Sequence, residues 1–221
     1  MIKSGNSQEQ QIIEEPTADF INKEARDLIV LRYMAQKIRM ALSAIEQSVP
    51  ASCPLHSSLE VRNQRKQRIV LYDPQTLLQN TALSFVGFVS GKQKIVDPSI
   101  DSELLRADAL LVKELVSIPG LLCYSSLEFR MGIWYNLVLF TDPHIKMHLK
   151  NGATHRYVAY QLAPHYYEWI RLHSGMMPDG LSTNKLLVQK TKYYTCQPLE
   201  QCFRVVNFPV SIAKQAGISI R

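Results

Sequence analysis

Two apolar runs joined by one tight turn constrain this chain more than any other feature. Leu121–Arg130 (LLCYSSLEFR) and Ile133–Phe140 (IWYNLVLF) flank Met131-Gly132, and a glycine-containing turn of that length ties such runs into an antiparallel hairpin. Side chains alternate along a strand, so Trp134, Asn136, Val138 and Phe140 share one face while Ile133, Tyr135, Leu137 and Leu139 share the other. Both sets are mostly apolar. A strand of this kind belongs to a sheet covered on both sides, and Asn136 within it needs either a partner or a ligand.

The segments around the hairpin extend the pattern. Residues 81–90 (TALSFVGFVS) read as a strand, with Gly87 marking a bulge or a close approach of backbone. Residues 101–116 form an amphipathic helix capped by Asp101 or Ser102 and ended by Ile118-Pro119-Gly120. After the hairpin, Asp142-Pro143 opens a helical region that runs to about His173, broken at Asn151-Gly152 and near Pro164, and residues 186–194 (LLVQKTKYY) supply the last strand. Strand, helix, strand, strand, helix, strand is the ferredoxin-like split motif. The expected fold class is α+β: a four-stranded antiparallel sheet over 81–195 with helices on one face, plus a long N-terminal helix.

That helix is predicted over 16–50. Ile21, Ala25, Leu28, Leu31, Ala35, Ile38, Leu42, Ile45 and Val49 recur at steps of three and four, and Pro50 stops them. Such a stripe packs on a body or on a partner helix. Residues 1–15, polar and without periodicity, are expected to form a disordered arm. Residues 51–80 read as a linker with a short strand at 69–72 and a basic cluster of Arg62, Arg65, Lys66 and Arg68, and 196–221 as a C-terminal extension.

With 221 residues the chain can bury a sizeable core. Its net charge of +6 is scattered rather than interleaved with aromatics, so no nucleic-acid partner is expected. The four cysteines show no Cys-x-x-Cys pair, the N-terminus has no apolar leader, and no run approaches the ~18 apolar residues of a membrane span. A cytoplasmic protein with no membrane span follows. Phosphate loops, nucleophile elbows and paired-carboxylate motifs are all missing, which disfavours nucleotide enzymes and hydrolases.

Five of the six histidines fall between 144 and 173. His144 and His148, four apart, share a helix face, but Asp142 and Glu168 lie outside the turn that would supply a third ligand, so no metal site is expected. His155 precedes Val158, Ala159 and Leu162 at helical spacing, which aims its ring at the apolar side; there it serves as a base, a haem ligand or a hydrogen-bonded core residue. Tyr166, Tyr167, Trp169, Ile170 and Leu172 make the following helical segment aromatic, with Arg171 among them.

With this element order, and with Met147-His148-Leu149-Lys150 followed by His155-Arg156-Tyr157, residues 81–195 resemble the dimeric α/β-barrel superfamily, in particular the antibiotic-biosynthesis-monooxygenase-like proteins. The resemblance implies two ferredoxin-like sheets packed face to face in a homodimer, with a small apolar pocket between each sheet and its helices. It implies a monooxygenase-like or cyclase-like enzyme for an aromatic or polycyclic compound, working with no cofactor or with haem. The candidate catalytic residues are His148, His155 and Asn136; the candidate substrate-binding residues are Trp134, Tyr124, Val158, Tyr166 and Arg171. The competing expectation is a non-catalytic ligand-binding or interaction protein that uses the N-terminal helix.

Overall fold

A computed structural model describes residues 12–13, 17–46, 54–61, 65–196 and 201–207. The ferredoxin-like unit lies in the middle. It runs β4 (Leu83–Lys92), α3 (Pro98–Glu114), β5 (Leu121–Arg130), β6 (Ile133–Phe140), three short helices and β7 (Tyr167–Met177). The four strands stand in the order β7-β4-β6-β5, every neighbour antiparallel. Gly132 takes φ +76 in the hairpin turn, a conformation that a side chain would strain. The cap of α3 is Asp97 rather than Asp101 or Ser102: its carboxylate accepts from Ser99 N at 2.8 Å, and Pro98 occupies the first turn, where a missing N–H costs nothing.

Two expectations are corrected by the sheet. It has nine strands among the described residues, not four, in the order β1 (Ile12–Ile13), β9 (Gln201–Asn207), β8 (Leu187–Cys196), β7, β4, β6, β5, β3 (Arg65–Leu71), β2 (Leu55–Val61). The stretch 51–80, expected to link, holds β2 (Leu55–Val61), β3 (Arg65–Leu71) and the short helix α2 (Pro74–Gln79), with β3 pairing on the free edge of β5. At the other edge β8 (Leu187–Cys196) follows β7, then β9 (Gln201–Asn207), then the two-residue β1 (Ile12–Ile13) in parallel. The second correction concerns 167–173, expected to be helical. Tyr-Glu-Trp-Ile-Arg-Leu-His is rich in strand-forming residues and pairs with β4 along its length, so this segment, and not 186–194, closes the ferredoxin-like unit. The remainder of the expected arm and C-terminal extension, and Val49-Pro50, lie outside the described residues.

Helices cover both faces of the sheet. On one side sit α3, α4 (Ile145–Asn151), α5 (Ala153–Tyr157), a π-helical turn (Val158–Leu162) and α6 (Ala163–Tyr166). Val70, Val112, Leu115, Tyr124 and Phe140 form the core there, joined by Val138 and Leu149. On the other side lies α1 (Ala18–Glu46). Its Leu31, Met34, Ala35, Ile38 and Leu42 are fully buried against Ile69, Phe85, Val89, Leu127, Leu137 and Leu139. Burying each of the large side chains contributes roughly 1.5–3 kcal/mol.

The buried stripe of α1 follows the sequence expectation from Leu28 to Ile45 and departs from it in the first turns. Ile21 and Ala25 face solvent, and Asp27 and Val30 take the inner positions ahead of Leu31. Gly87 explains how close the helix comes: a Cβ there would lie 2.6 Å from Leu31 Cδ1. The heptad-like stripe is thus spent on the chain's own sheet rather than held for a partner helix. The face through which two such sheets would pack in a homodimer is the face that α1 covers.

Candidate functional site

A row of side chains crosses the middle of the sheet on the side of α3 to α6. Backbone pairing sets Arg68 of β3 opposite Ser126 of β5, Ser126 opposite Asn136 of β6, Asn136 opposite Phe88 of β4, and Phe88 opposite Leu172 of β7. Directly opposed side chains in a sheet are near neighbours, so this is a continuous strip, polar at one end and apolar at the other. Ser90 and Trp134 form the next pair along. Tyr167 closes the apolar end, its ring set edge-on to Phe88 at 5.5 Å and to Tyr166 at 4.8 Å.

The polar end is tied to α3. Arg68 pairs with Asp108 (Nη2 to Oδ2, 2.8 Å) and donates from Nε to Ser126 Oγ at 3.2 Å. Tyr124 donates its hydroxyl to Asp108 Oδ1 at 3.2 Å, and the Arg68 guanidinium lies 5.3 Å from the Tyr124 ring centre. Burial opposes the charge on Arg68, but Tyr124 and Asp108 outweigh it and raise its pKa. Burial pushes both phenols, Tyr124 and Tyr167, far above the ordinary tyrosine range. They are neutral donors at any physiological pH. Within this frame Asn136 Oδ1 is buried and has no hydrogen-bond partner. A buried amide oxygen left unpaired costs about 1–3 kcal/mol, which a ligand donor would recover.

The sequence-predicted residues separate into three groups. Trp134, Asn136 and Tyr124 stand on the strip or next to it, and Tyr166 packs edge-on to Tyr167 at its end. His155 and Val158 belong to the helical layer above. The His155 Nδ1 is buried without a partner, and burial with the nearby Lys150 lowers its pKa, so the ring is neutral near pH 7. His148 is exposed on α4, and Arg171 points to the opposite side of the sheet. Neither belongs to this site.

Arg171 belongs instead to a second polar cluster beneath α1. It grips Asp27 with two parallel bonds, Nε to Oδ2 at 2.5 Å and Nη2 to Oδ1 at 2.7 Å. His173 Nε2 meets Asp27 Oδ2 at 2.9 Å, and Tyr135 donates to Oδ1 at 3.1 Å. Because the carboxylate only accepts, His173 Nε2 carries a proton, and the other ring nitrogen, Nδ1, lies 2.9 Å from Thr191 Oγ1. Burial alone would raise the pKa of Asp27; hydrogen bonds from His173 and Arg171 outweigh it and hold the carboxyl below its usual range. Asp27, His173 and Thr191 are nearly inaccessible to solvent, so the cluster joins helix to sheet and meets no substrate.

Of the five histidines of this segment, His173 has both ring nitrogens engaged and His144, His148 and His165 face solvent, which leaves His155 as the candidate axial ligand; Arg171, the propionate partner expected from sequence, is committed to Asp27. A depression of about 390 Å³ between α3 and α5 is lined by Glu103, Arg106, Ala107, Leu110, Thr154 and Tyr157 and holds no histidine. Among the described residues, no three His, Cys, Asp or Glu side chains gather to hold a metal, and no helix is long and apolar enough to cross a membrane.

Sequence reasoning missed Arg68, Asp108, Asp27, Tyr135 and Thr191. A signal existed for Asp27: it precedes Val30, Leu31 and Met34 by three, four and seven residues, a charge in a buried stripe. The Arg68–Asp108 pair joins β3 to α3 across 40 residues of sequence and left no local trace.

Strand order and layers define an α+β protein built on a ferredoxin-like unit and closed on both faces by its own helices. No family model matches the chain, and no curated protein is significantly similar to it. Among solved structures, SO0527 from Shewanella oneidensis aligns over 44% of this chain and 93% of its own at 13% identity, with a TM-score of 0.38. PA3566 from Pseudomonas aeruginosa aligns over 43% and 92% at 13% identity, TM-score 0.34. A candidate monooxygenase from Lactobacillus acidophilus NCFM aligns over 50% of both chains at 13% identity, TM-score 0.37. At these scores the likeness bears on neither ligand nor reaction.

Proposed function

We propose that the protein binds a small planar aromatic molecule between the sheet and the α3–α6 layer, flat against Phe88 and Trp134 and hydrogen-bonded to Asn136. The observation that carries this is the buried, partnerless Oδ1 of Asn136 in the middle of an aromatic strip. Small apolar sites with a few placed polar groups are the usual form of such binding sites. The ligand carries a donor, an N–H or a phenolic O–H, because Oδ1 only accepts. Arg68 and Tyr124 set the polar end, where a carbonyl or an anionic oxygen fits.

A monooxygenase-like reaction is the catalytic extension of the same reading, with His155 as base. A neutral imidazole takes a proton from an activated ring CH2, the carbanion passes one electron to dioxygen and the radical pair joins as a C–O–O peroxide that takes the proton back from the imidazolium; loss of water then breaks the O–O bond and the remaining C–H bond and leaves a carbonyl, with no cofactor needed. The two tyrosines stay protonated and act as donors only. A cytoplasmic setting suits the free thiols of Cys123 and Cys196. The paired-sheet homodimer is not part of the reading, since α1 occupies that face.

Asn136→Leu tests it. An asparagine kept for structure destabilises when replaced; one kept for a ligand leaves a better-packed core. The expected result is a variant more stable than the parent by about 1 kcal/mol in urea that no longer binds hydroxylated aromatic or polycyclic compounds. Binding is read from Trp134 fluorescence in a Trp169→Phe background, and oxygen uptake on a bound compound is expected to disappear in His155→Ala. A destabilised Asn136→Leu with unchanged ligand binding overturns the proposal.

A further inference from the structure

Glu24 precedes Asp27 by three residues on α1, so both carboxylates lie on the same side of the helix. Asp27 is fully engaged by Arg171, His173 and Tyr135. Glu24 has no comparable arrangement: its Oε2 is buried with no hydrogen-bond partner. Two neighbouring cations are committed elsewhere. Arg171 serves Asp27 and donates to Tyr193 at 3.2 Å, while Lys23 pairs with Asp19 at 2.7 Å and lies 6.0 Å from the centre of the Tyr193 ring. The titratable groups on the elements around this turn are Asp19, Lys23, Arg26 and Asp27 of α1, Tyr135 of β6, Arg171 and His173 of β7, and Tyr193 of β8, with Arg130 of β5 acting on Tyr135.

We propose that Glu24 is a proton-operated latch for the first turns of α1. Protonated, it favours the closed turn; ionised, it raises the population of a minor open form in which residues 18–28 leave β7 and β8 and Trp169, Arg171 and Tyr193 are uncovered, while the Asp27–Arg171 pair keeps the closed form dominant. The physical reason is that an ionised Glu24 adds a second, partly buried negative charge beside Asp27, whose countercharge is already used. Burial, with Asp27 adding to it, pushes the Glu24 pKa up to about 7, which sets the latch within the range of cellular pH. The uncovered surface is distinctive: the Arg171 guanidinium stands 4.1 Å from the Trp169 ring centre and 5.5 Å from that of Tyr193. The lower half of the helix, with Leu31 to Leu42 in the core, stays in place. The inference is independent of any ligand on the opposite face.

Native-state hydrogen exchange on the full chain at pH 6 and pH 8 tests it, with protection corrected for intrinsic exchange. A carboxyl with this shift makes the opening of residues 20–28 about tenfold more favourable across that interval. The wild type is therefore expected to lose about tenfold protection there while β5, residues 121–127, keeps its own. Glu24→Gln, isosteric and uncharged, is expected to show the pH 6 level at both values. A wild type with equal protection at the two pH values overturns the proposal, whatever the variant does. So does the same loss in Glu24→Gln, or an equal loss across β5.

Discussion

Arg171 and Asp27, 144 residues apart in sequence, meet in a bidentate pair at 2.5 and 2.7 Å beneath α1. The pair fixes the helix to β7, and His173 and Tyr135 complete the carboxylate's coordination. Removing two charges from water is expensive, so the pair adds little net stability over an apolar replacement, but breaking it leaves one charge buried and unmatched. It specifies where along the sheet α1 sits.

Asp27→Asn is therefore expected to cost about 3–5 kcal/mol, read as a lower urea midpoint with an unchanged slope. The wild type carries the same dependence in its acid limb. A carboxyl whose folded pKa is depressed contributes stability above its unfolded value and loses it as pH falls through the folded value. Unfolding midpoints should drop below about pH 4 in the wild type, and that drop should be smaller in Asp27→Asn. An Asp27→Asn variant as stable as the parent would contradict the role given to the pair.

Two glycines should respond differently to alanine. A Cβ at Gly175 would lie 2.0 Å from the Leu187 carbonyl oxygen, a backbone atom that cannot move without breaking the pairing of β7 and β8. At Gly87 the obstacle is the tip of the Leu31 side chain, which can rotate. Gly175→Ala is expected to cost more than Gly87→Ala by at least about 1 kcal/mol in thermal unfolding.

Residues 1–46 are expected to be indispensable. Their removal uncovers Ile69, Phe85, Val89, Leu137 and Leu139, an apolar face too large to stay exposed on a soluble monomer. The truncated chain should sediment as aggregates or as a dimer paired through that face. A stable truncated monomer with native circular dichroism would show that α1 is an appendage.

Tyr124→Phe removes one donor to Asp108 while leaving the Arg68 pair intact. The expected loss is about 1 kcal/mol, whereas Arg68→Leu, which leaves Asp108 without its countercharge, should cost more. Equal effects in denaturant would mean that the hydroxyl, not the ion pair, orders this end of the strip.

Local periodicity made much of the fold legible. The hairpin, the alternation that places Asn136 and Tyr135 on opposite faces, and the long first helix are all short-range signals. Residues 167–173 misled because Tyr, Trp and Leu suit either state, and the arbiter, pairing with β4, is eighty residues away in sequence. The same alternation turns Arg171 away from Ile170 and Leu172, which separates it from the site it was expected to join. The strip itself was half legible: Asn136 and Trp134 stood out as polar and aromatic on one face, while Arg68 and Asp108 acquire meaning only once β3 pairs with β5.

The most direct measurement is the side-chain amide resonance of Asn136 in 15N-labelled protein, assigned by its absence in Asn136→Leu. On saturation with a compound that quenches Trp134, this resonance should move together with backbone amides of Phe88 and Ser126, while those of Glu103 and Tyr157, which line the outer depression, stay in place. An unchanged Asn136 resonance at saturation, with shifts confined to Glu103 and Tyr157, would contradict a ligand site on the strip.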